Sequence, residues 1–264
     1  MSEKPMIIAH RGASRYAPEN TLAAFRAAVE AGAEGVEFDV QLSGDGVPVV
    51  IHDHSLERTG LRTGKVAELT ADQLGSIDVG SWFNQKHPSR AREDYKRETV
   101  PTLQQVLDVL SAFNGLIYVE LKADNGDIDA LTTAVCDTIR QSPLLAQMIV
   151  KSFRLAVVPR VRCHLPEVTT AALFAPQIMS FLRRRKQIVD IAREFGAEQI
   201  SVHRSLLTPG LSKRASEAQM PITVWTADKP AWIYRCQKLG VKALITNDPQ
   251  LMLAERDRST TKSP

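Results

Sequence analysis

The run Gly35-Val36-Glu37-Phe38-Asp39-Val40-Gln41-Leu42-Ser43-Gly44-Asp45-Gly46-Val47-Pro48-Val49-Val50-Ile51-His52 holds two strand-like segments, 35–40 and 47–52, separated by a turn at 43–46. A turn that short makes the second strand antiparallel to the first. A strand that doubles back in this way cannot be the next strand of a parallel sheet. Residues 41–100, which include a charge-dense stretch at 87–98, therefore read as an insertion after a second strand.

Outside the insertion, short apolar runs alternate with helix-like segments, the pattern of parallel βα units. Eight strands are predicted, at 6–10, 35–40, 116–122, 148–153, 168–174, 199–203, 222–226 and 243–246. Their continuous apolar character suits strands covered on both faces. The helices show the other period: Leu22, Phe25 and Val29 share a face, as do Ile128, Leu131, Val135 and Ile139. Thr102 and Gln105 have capping-box spacing and should open a helix over 103–113. Gly115, Gly196 and Gly240 are expected to end helices in the left-handed conformation. Eight such units in 264 residues fit one barrel or doubly wound α/β domain.

Composition narrows the function classes. With 33 Lys and Arg against 30 Asp and Glu, the net charge of +3 is too slight to imply a nucleic-acid partner, though an anionic small molecule remains compatible. Cys136, Cys163 and Cys236 are far apart, without the spacing of a zinc site, and read as core or surface thiols. The N-terminal residues fit neither a secretory signal nor a membrane anchor, so a cytoplasmic location is expected. The run Arg183-Arg184-Arg185-Lys186 reads as a solvated helix face, with an anionic surface contact as the alternative.

Chemistry-bearing residues gather at strand ends. Glu37 and Asp39 are two apart and share a face, and Glu120 and Lys122 repeat the arrangement on another strand. Carboxylates crowded on the inner face of a barrel repel one another unless a cation or proton lies between them. Three hard oxygen ligands without Cys favour magnesium, calcium or manganese. Pairing of the same acids with nearby Arg and Lys is the competing reading. His10 and His52, each at a strand end, could move protons near neutral pH. Arg11 and Lys122 could hold a phosphate or merely neutralise the acids. Trp225 could pack against a polyol or belong to the core. His203, also ending a strand, is an intermediate case, and Trp82 and Phe83 could cover a barrel mouth or form the insertion's own core.

The segments Ile8-Ala9-His10-Arg11-Gly12, Ala17-Pro18-Glu19-Asn20-Thr21, Glu37-Phe38-Asp39-Val40 and Val50-Ile51-His52-Asp53 resemble, in order and spacing, the glycerophosphodiester phosphodiesterase family of the bacterial cytoplasmic type. Gly80-Ser81-Trp82-Phe83, Glu120-Leu121-Lys122, Ser152-Phe153 and Ile245-Thr246-Asn247-Asp248-Pro249 extend the likeness over about residues 6–250. The resemblance implies an α/β fold, a TIM (β/α)8 barrel with a small insertion after the second strand, in a single domain. It implies that Glu37, Asp39 and Glu120 bind a divalent cation (Mg, Ca or Mn), that His10 and His52 are acid and base, and that Arg11 and Lys122 engage phosphate. Trp225 would face the glycerol. The implied reaction is metal-dependent hydrolysis of a small-molecule glycerophosphodiester, such as glycerophosphocholine or glycerophosphoethanolamine, to glycerol 3-phosphate and an alcohol. A lysophospholipase D-type enzyme and a non-catalytic binding barrel are the alternatives. Thr226-Ala227-Asp228 and His203 depart from the commoner family pattern and leave the alcohol specificity open. Asn20 or Thr21 can cap the first helix, and Glu19, Asn20 and Thr21 are placed outside the site.

Overall fold

A computed structural model describes residues 3–123, 126–176 and 187–258. Nine strands form one sheet: β1 (Met6–His10), β2 (Gly35–Leu42), β3 (Pro48–Val50), β4 (Leu116–Leu121), β5 (Met148–Ser152), β6 (Thr169–Phe174), β7 (Gln199–His203), β8 (Ile222–Trp225) and β9 (Ala243–Thr246). Eight pair in parallel in the order β1-β2-β4-β5-β6-β7-β8-β9, and β9 returns to β1, so the sheet closes into a (β/α)8 barrel. The ninth, β3, runs antiparallel along the end of β2, with Val40 opposite Val50. That is the reversal expected from the turn at 43–46. The predicted strands all form, most within a residue or two of their expected limits.

Barrel closure rests on period-two packing. Ile8, Tyr118, Ile149, Ala171, Ala243 and Ile245, one or two from each of β1, β4, β5, β6 and β9, form a buried cluster that fills the interior. Gly35 is required by the closeness of this packing, since a Cβ there would lie 2.5 Å from Ile8 Cδ1 and 2.7 Å from the Leu116 carbonyl oxygen. The alternate residues point outward to the helices. Phe25, Val36, Phe38, Leu131 and Val135 belong to one outer cluster, and Ala172, Phe174, Ile200, Val224 and Ile233 to another. Burial of such faces, at roughly 25 cal/mol per Å² of apolar area, is what holds helices on the sheet.

The helix Leu103–Val109 opens with the expected capping box between Thr102 and Gln105, but is shorter than the predicted 103–113. Gly196 and Gly240 take positive φ as expected. Gly115 does not. It is needed for room instead, because a Cβ would meet Phe113 Cζ at 2.4 Å and the Glu34 carbonyl oxygen at 2.6 Å. Val49 of β3 and, in the segment between β3 and the helix Leu103–Val109, Leu56, Val66, Leu74 and Ile77 make a small core of their own. Trp82, Phe83 and Tyr95 pack against Ala17 and Ala24, which resolves their role as core residues beneath the loop after β1. Cys136 and Cys236 are buried, with burial pushing their thiols up to about 11 and about 12, and Cys163 is exposed. The Arg183–Lys186 run lies outside the described residues.

Candidate active site

Side chains of one strand parity face the barrel interior, so the last inward residue of each strand stands at the mouth. They include His10 on β1, Glu37 and Asp39 on β2, Glu120 on β4 with Lys122 just past its end, Lys151 on β5 and Trp225 on β8. Register sets them side by side: His10 is opposite Glu37, Asp39 opposite Glu120, and Glu120 opposite Lys151. His10, Arg11, Glu37, Asp39, His52, Glu120, Lys122 and Trp225, together with Lys151, Phe153 and Thr226, line one cavity of about 100 Å³. All eight site residues expected from the sequence are thus brought together.

The chain reaches this arrangement through specific local geometry. Arg11 follows β1 with φ 56°, a left-handed conformation costing a non-glycine residue about 1–2 kcal/mol. Its amide donates to the Glu37 carbonyl at 2.7 Å and lies 3.3 Å from Glu37 Oε2. Gly12 completes the turn at φ 77°, where a Cβ would strike the Ala24 backbone at 2.5 Å. His52 follows β3. Gln41 Nε2 donates to the carbonyls of Ile51, His52 and Asp53, each at 3.0 Å, and fixes this segment against β2.

Glu37, Asp39 and Glu120 are buried, with candidate ligand oxygens all within 4.8 Å of one another. An ion about 2.0–2.6 Å from each oxygen would span separations of that order. The acids also have fixed partners. The Lys151 side chain is only 2% exposed, and its Nζ lies 2.9 Å from Glu37 Oε1 and 3.6 Å from Glu120 Oε2. Lys122 Nζ lies 3.1 Å from Glu120 Oε1 and 3.6 Å from Asp39 Oδ1. Arg11 Nε is 3.1 Å from Asp39 Oδ2, and Asn20 Nδ2 donates to the same oxygen at 3.0 Å. The pairing of the acids with nearby Arg and Lys, the competing reading of the sequence, is thus present: Arg11, Lys122 and Lys151 all meet the trio.

Burial alone would raise the carboxylate pKa values, but at Glu37 the Lys151 ammonium and His10 outweigh it, holding the group below the usual range. At Asp39, Arg11 and Lys122 do the same. Burial likewise opposes charge on Lys151, yet Glu37 and Glu120 keep its pKa above that of an ordinary lysine. Arg11 Nε–H has no aligned acceptor despite its ion pair with Asp39, and Asn20 Oδ1 has no partner among the described residues. A buried unmatched donor suits an anion, and a buried unmatched amide oxygen suits a cation or water.

Each imidazole is held by a partner on Nδ1. His10 Nδ1 is 2.7 Å from Asn247 Oδ1. Asn247 cannot turn its amide around without loss, because its Nδ2 donates to Asp228 Oδ2 at 2.9 Å and its Oδ1 accepts from Ser14 Oγ at 3.0 Å. His52 Nδ1 is 2.5 Å from Asp53 Oδ1. Acceptors at Nδ1 set the proton there in the neutral ring and leave Nε2 to exchange protons. Arg58 bonds Asp53 Oδ2 at 2.5 Å and grips both oxygens of Glu19 at 2.8 and 2.9 Å, while Glu19 also accepts from Arg11 at 2.7 Å. Glu19 and Asn20 therefore do support the site, contrary to their expected exclusion. Thr21 is the helix cap, accepting from the Ala24 amide. Trp225 meets Phe153 edge-on at 5.5 Å and His203 at 5.2 Å. His203 accepts from the Ser205 amide and flanks that ring.

Lys151, Asn247, Asp53, Arg58 and Phe153 were not singled out for the site from sequence. The one signal available for Lys151 was a charged residue inside the apolar run Met148-Ile149-Val150-Lys151, at the parity that faces the barrel.

Fold and mouth together define a barrel enzyme whose cavity combines an acidic trio, fixed cations and two oriented imidazoles. The description "Glycerophosphoryl diester phosphodiesterase family" belongs to a family model that matches residues 10–251. The glycerophosphodiester phosphodiesterase of Caldanaerobacter subterraneus subsp. tengcongensis is 28% identical over 250 residues, covering 95% of this chain and 97% of that protein. A solved phosphodiesterase of Oleispira antarctica, in complex with the product sn-glycerol-3-phosphate, superposes with a TM-score of 0.84 at 27% identity, over 96% of this chain and 97% of that one. The glycerophosphodiester phosphodiesterase of Agrobacterium tumefaciens gives 0.77 at 26% identity, over 95% and 99%. The chain belongs to the glycerophosphoryl diester phosphodiesterase family.

Proposed function

We propose that this protein hydrolyses water-soluble glycerophosphodiesters, such as glycerophosphocholine or glycerophosphoethanolamine, to glycerol 3-phosphate and an alcohol. One observation carries the reading: two oriented imidazoles, three buried acids, Arg11 and Lys122 line a single small cavity. Glu37, Asp39 and Glu120 would hold a divalent cation of the Mg, Ca or Mn class, and their hard oxygen set fits such an ion. When bound, the ion supplies Lewis-acid stabilisation of charge on the phosphoryl group.

The chain's own groups account for the remaining steps. Arg11 and Lys122 bind the phosphate oxygens and neutralise charge that develops there. His10 and His52 exchange protons at Nε2, one taking the proton from the nucleophile and the other giving one to the leaving alkoxide. The Trp225 and Phe153 rings offer an apolar wall to the glycerol carbons. No helix among the described residues is long and apolar enough to cross a membrane, and the reading includes a cytoplasmic location and one barrel domain bearing the insertion.

The test is turnover of choline, ethanolamine and glycerol diesters and of an acylated lyso-lipid, in metal-stripped and metal-replete protein. Chelation should abolish turnover and readdition restore it. The three soluble diesters should agree within roughly 10-fold in kcat/KM, since among the described residues lining the cavity no charged side chain is committed to the leaving alcohol. Full activity after metal removal would refute metal dependence, and a lyso-lipid preferred by two orders of magnitude would favour the lipid-directed alternative.

A further inference from the structure

The three carboxylates and their three fixed cations form a closed ring. Glu37 Oε1 meets Lys151, Lys151 meets Glu120 Oε2, and Glu120 Oε1 meets Lys122. Lys122 reaches Asp39 Oδ1, and Asp39 Oδ2 meets Arg11, whose backbone amide returns to Glu37 Oε2. Every oxygen of the acidic trio thus already faces a cation or a donor, and the ring is formally neutral without any bound ion. Such closure differs from an ordinary acidic cation site, where excess negative charge draws the ion in.

The three cations of this ring differ in what they can do when an ion arrives. Lys122 and Arg11, at the mouth, are the groups that meet the substrate phosphate in the proposed reaction. Lys151 has no such exit. Its side chain is 2% exposed, and its ammonium sits between Glu37 and Glu120 and 6.0 Å from the centre of the Tyr118 ring, so it is held by two of the acids rather than by solvent. It stays a resident positive charge beside the trio, and its repulsion of a second cation is only weakly screened in a buried setting. With an ion added, the ring carries an excess of two positive charges. A phosphodiester monoanion offsets one of these charges, and a phosphomonoester dianion such as the product offsets both.

We propose that Lys151 makes this a metal site that binds its ion weakly alone and firmly together with a phosphate-bearing ligand, so that ion and substrate enter as a coupled pair. This rests on the assignment of Glu37, Asp39 and Glu120 as the ion's ligands. Coupling is reciprocal: the factor by which the anion tightens the ion is the factor by which the ion tightens the anion. Lys151 acts through the trio rather than on the reacting atoms, and is a positioning residue. Its ammonium also keeps the ion-free trio from repelling itself apart, so the resting protein does not depend on metal for its stability.

The experiment is calorimetric titration of metal-stripped full-length protein with Mg²⁺ and with Mn²⁺, with and without saturating sn-glycerol 3-phosphate, on wild type, Lys151→Met and Lys151→Gln. In wild type the anion should tighten the ion by roughly 5- to 150-fold, the usual range of coupling between sites. Lys151→Met should tighten anion-free ion binding by about tenfold or more and shrink the coupling, because a buried like charge is gone. Both variants should melt earlier than wild type without metal and recover with it, whereas a merely structural lysine would leave a deficit that metal does not mend. Ion binding in wild type that ignores the anion, or unchanged or weaker binding in the lysine variants, would overturn the inference while leaving the trio as the metal site. No ion binding in any form, with or without anion, would overturn both. Should neither variant fold, the wild-type coupling alone decides.

Discussion

Replacing Asn247 with Leu tests whether His10 works as a proton carrier held in one tautomer. Asn247 Oδ1 lies 2.7 Å from His10 Nδ1, and Asp228 and Ser14 keep that oxygen turned toward the ring. Leucine keeps the bulk and removes the acceptor. The net worth of one such hydrogen bond is about 0.5–1.5 kcal/mol, and losing it from the reacting tautomer converts to about 2- to 13-fold in rate. Because Arg11 and Lys122 are untouched, the loss should fall on kcat, with KM for a soluble diester within about twofold of wild type. A second variant separates tautomer from packing. In the exchange Asp228→Asn with Asn247→Asp, residue 247 still accepts from His10 and now accepts from residue 228 as well, so kcat should recover most of the deficit. Steady-state kinetics with a coupled assay for glycerol 3-phosphate, alongside melting curves to confirm folding, measures both. A folded Asn247→Leu protein with wild-type kcat, or an exchange variant no better than the leucine variant, would refute the tautomer argument.

Two further outcomes follow from the same geometry. His52→Ala should lower kcat by about 10² to 10⁴ without unfolding the protein, since the imidazole is held by Asp53 at the mouth and supports no core packing; near-normal turnover in the folded variant would remove it from the reaction. Metal-free protein should lose stability on the acid side. Glu37 and Asp39 have folded pKa values below their unfolded ones, so their contribution is complete only above about pH 5 and is lost as pH falls toward the lowered values. A melting temperature unchanged between pH 5 and pH 2.5 would contradict this.

The strands were legible because a strand of a closed parallel barrel is covered on both faces and writes a continuous apolar run, as in Ile149-Val150 or Leu244-Ile245. The acids were legible for a related reason: Glu37 and Asp39 interrupt such a run at a spacing of two, which commits both to one face. What stayed hidden depends on closure. Asn247 follows β9 and His10 ends β1, 237 residues apart, and they meet because the first and last strands pair. Lys151 was passed over although it has the parity of Glu120. A lone lysine in a strand gives no spacing pattern, and its meaning comes from standing opposite Glu120 in the register of two neighbouring strands. Gly115 was read by a local rule for helix ends, but its constraint is the approach of Glu34, another tertiary contact.

That division bears on how the site should be tested. Residues readable from local spacing, the acids and the histidines, are those that meet the ion or the substrate, and single substitutions there remove chemistry outright. The partners that only closure reveals act by holding charge or tautomer in place. Lys151 balances the acids, Asn247 orients one imidazole, and Arg58 ties Asp53, which orients the other, to Glu19 and through it to Arg11. Arg58 comes from the insertion and Glu19 from the loop after β1. The inserted segment therefore adds no acid to the trio but supplies His52 and the cation that aligns it, so its packing on that loop through Phe83 and Tyr95 is part of what keeps the two imidazoles at one cavity.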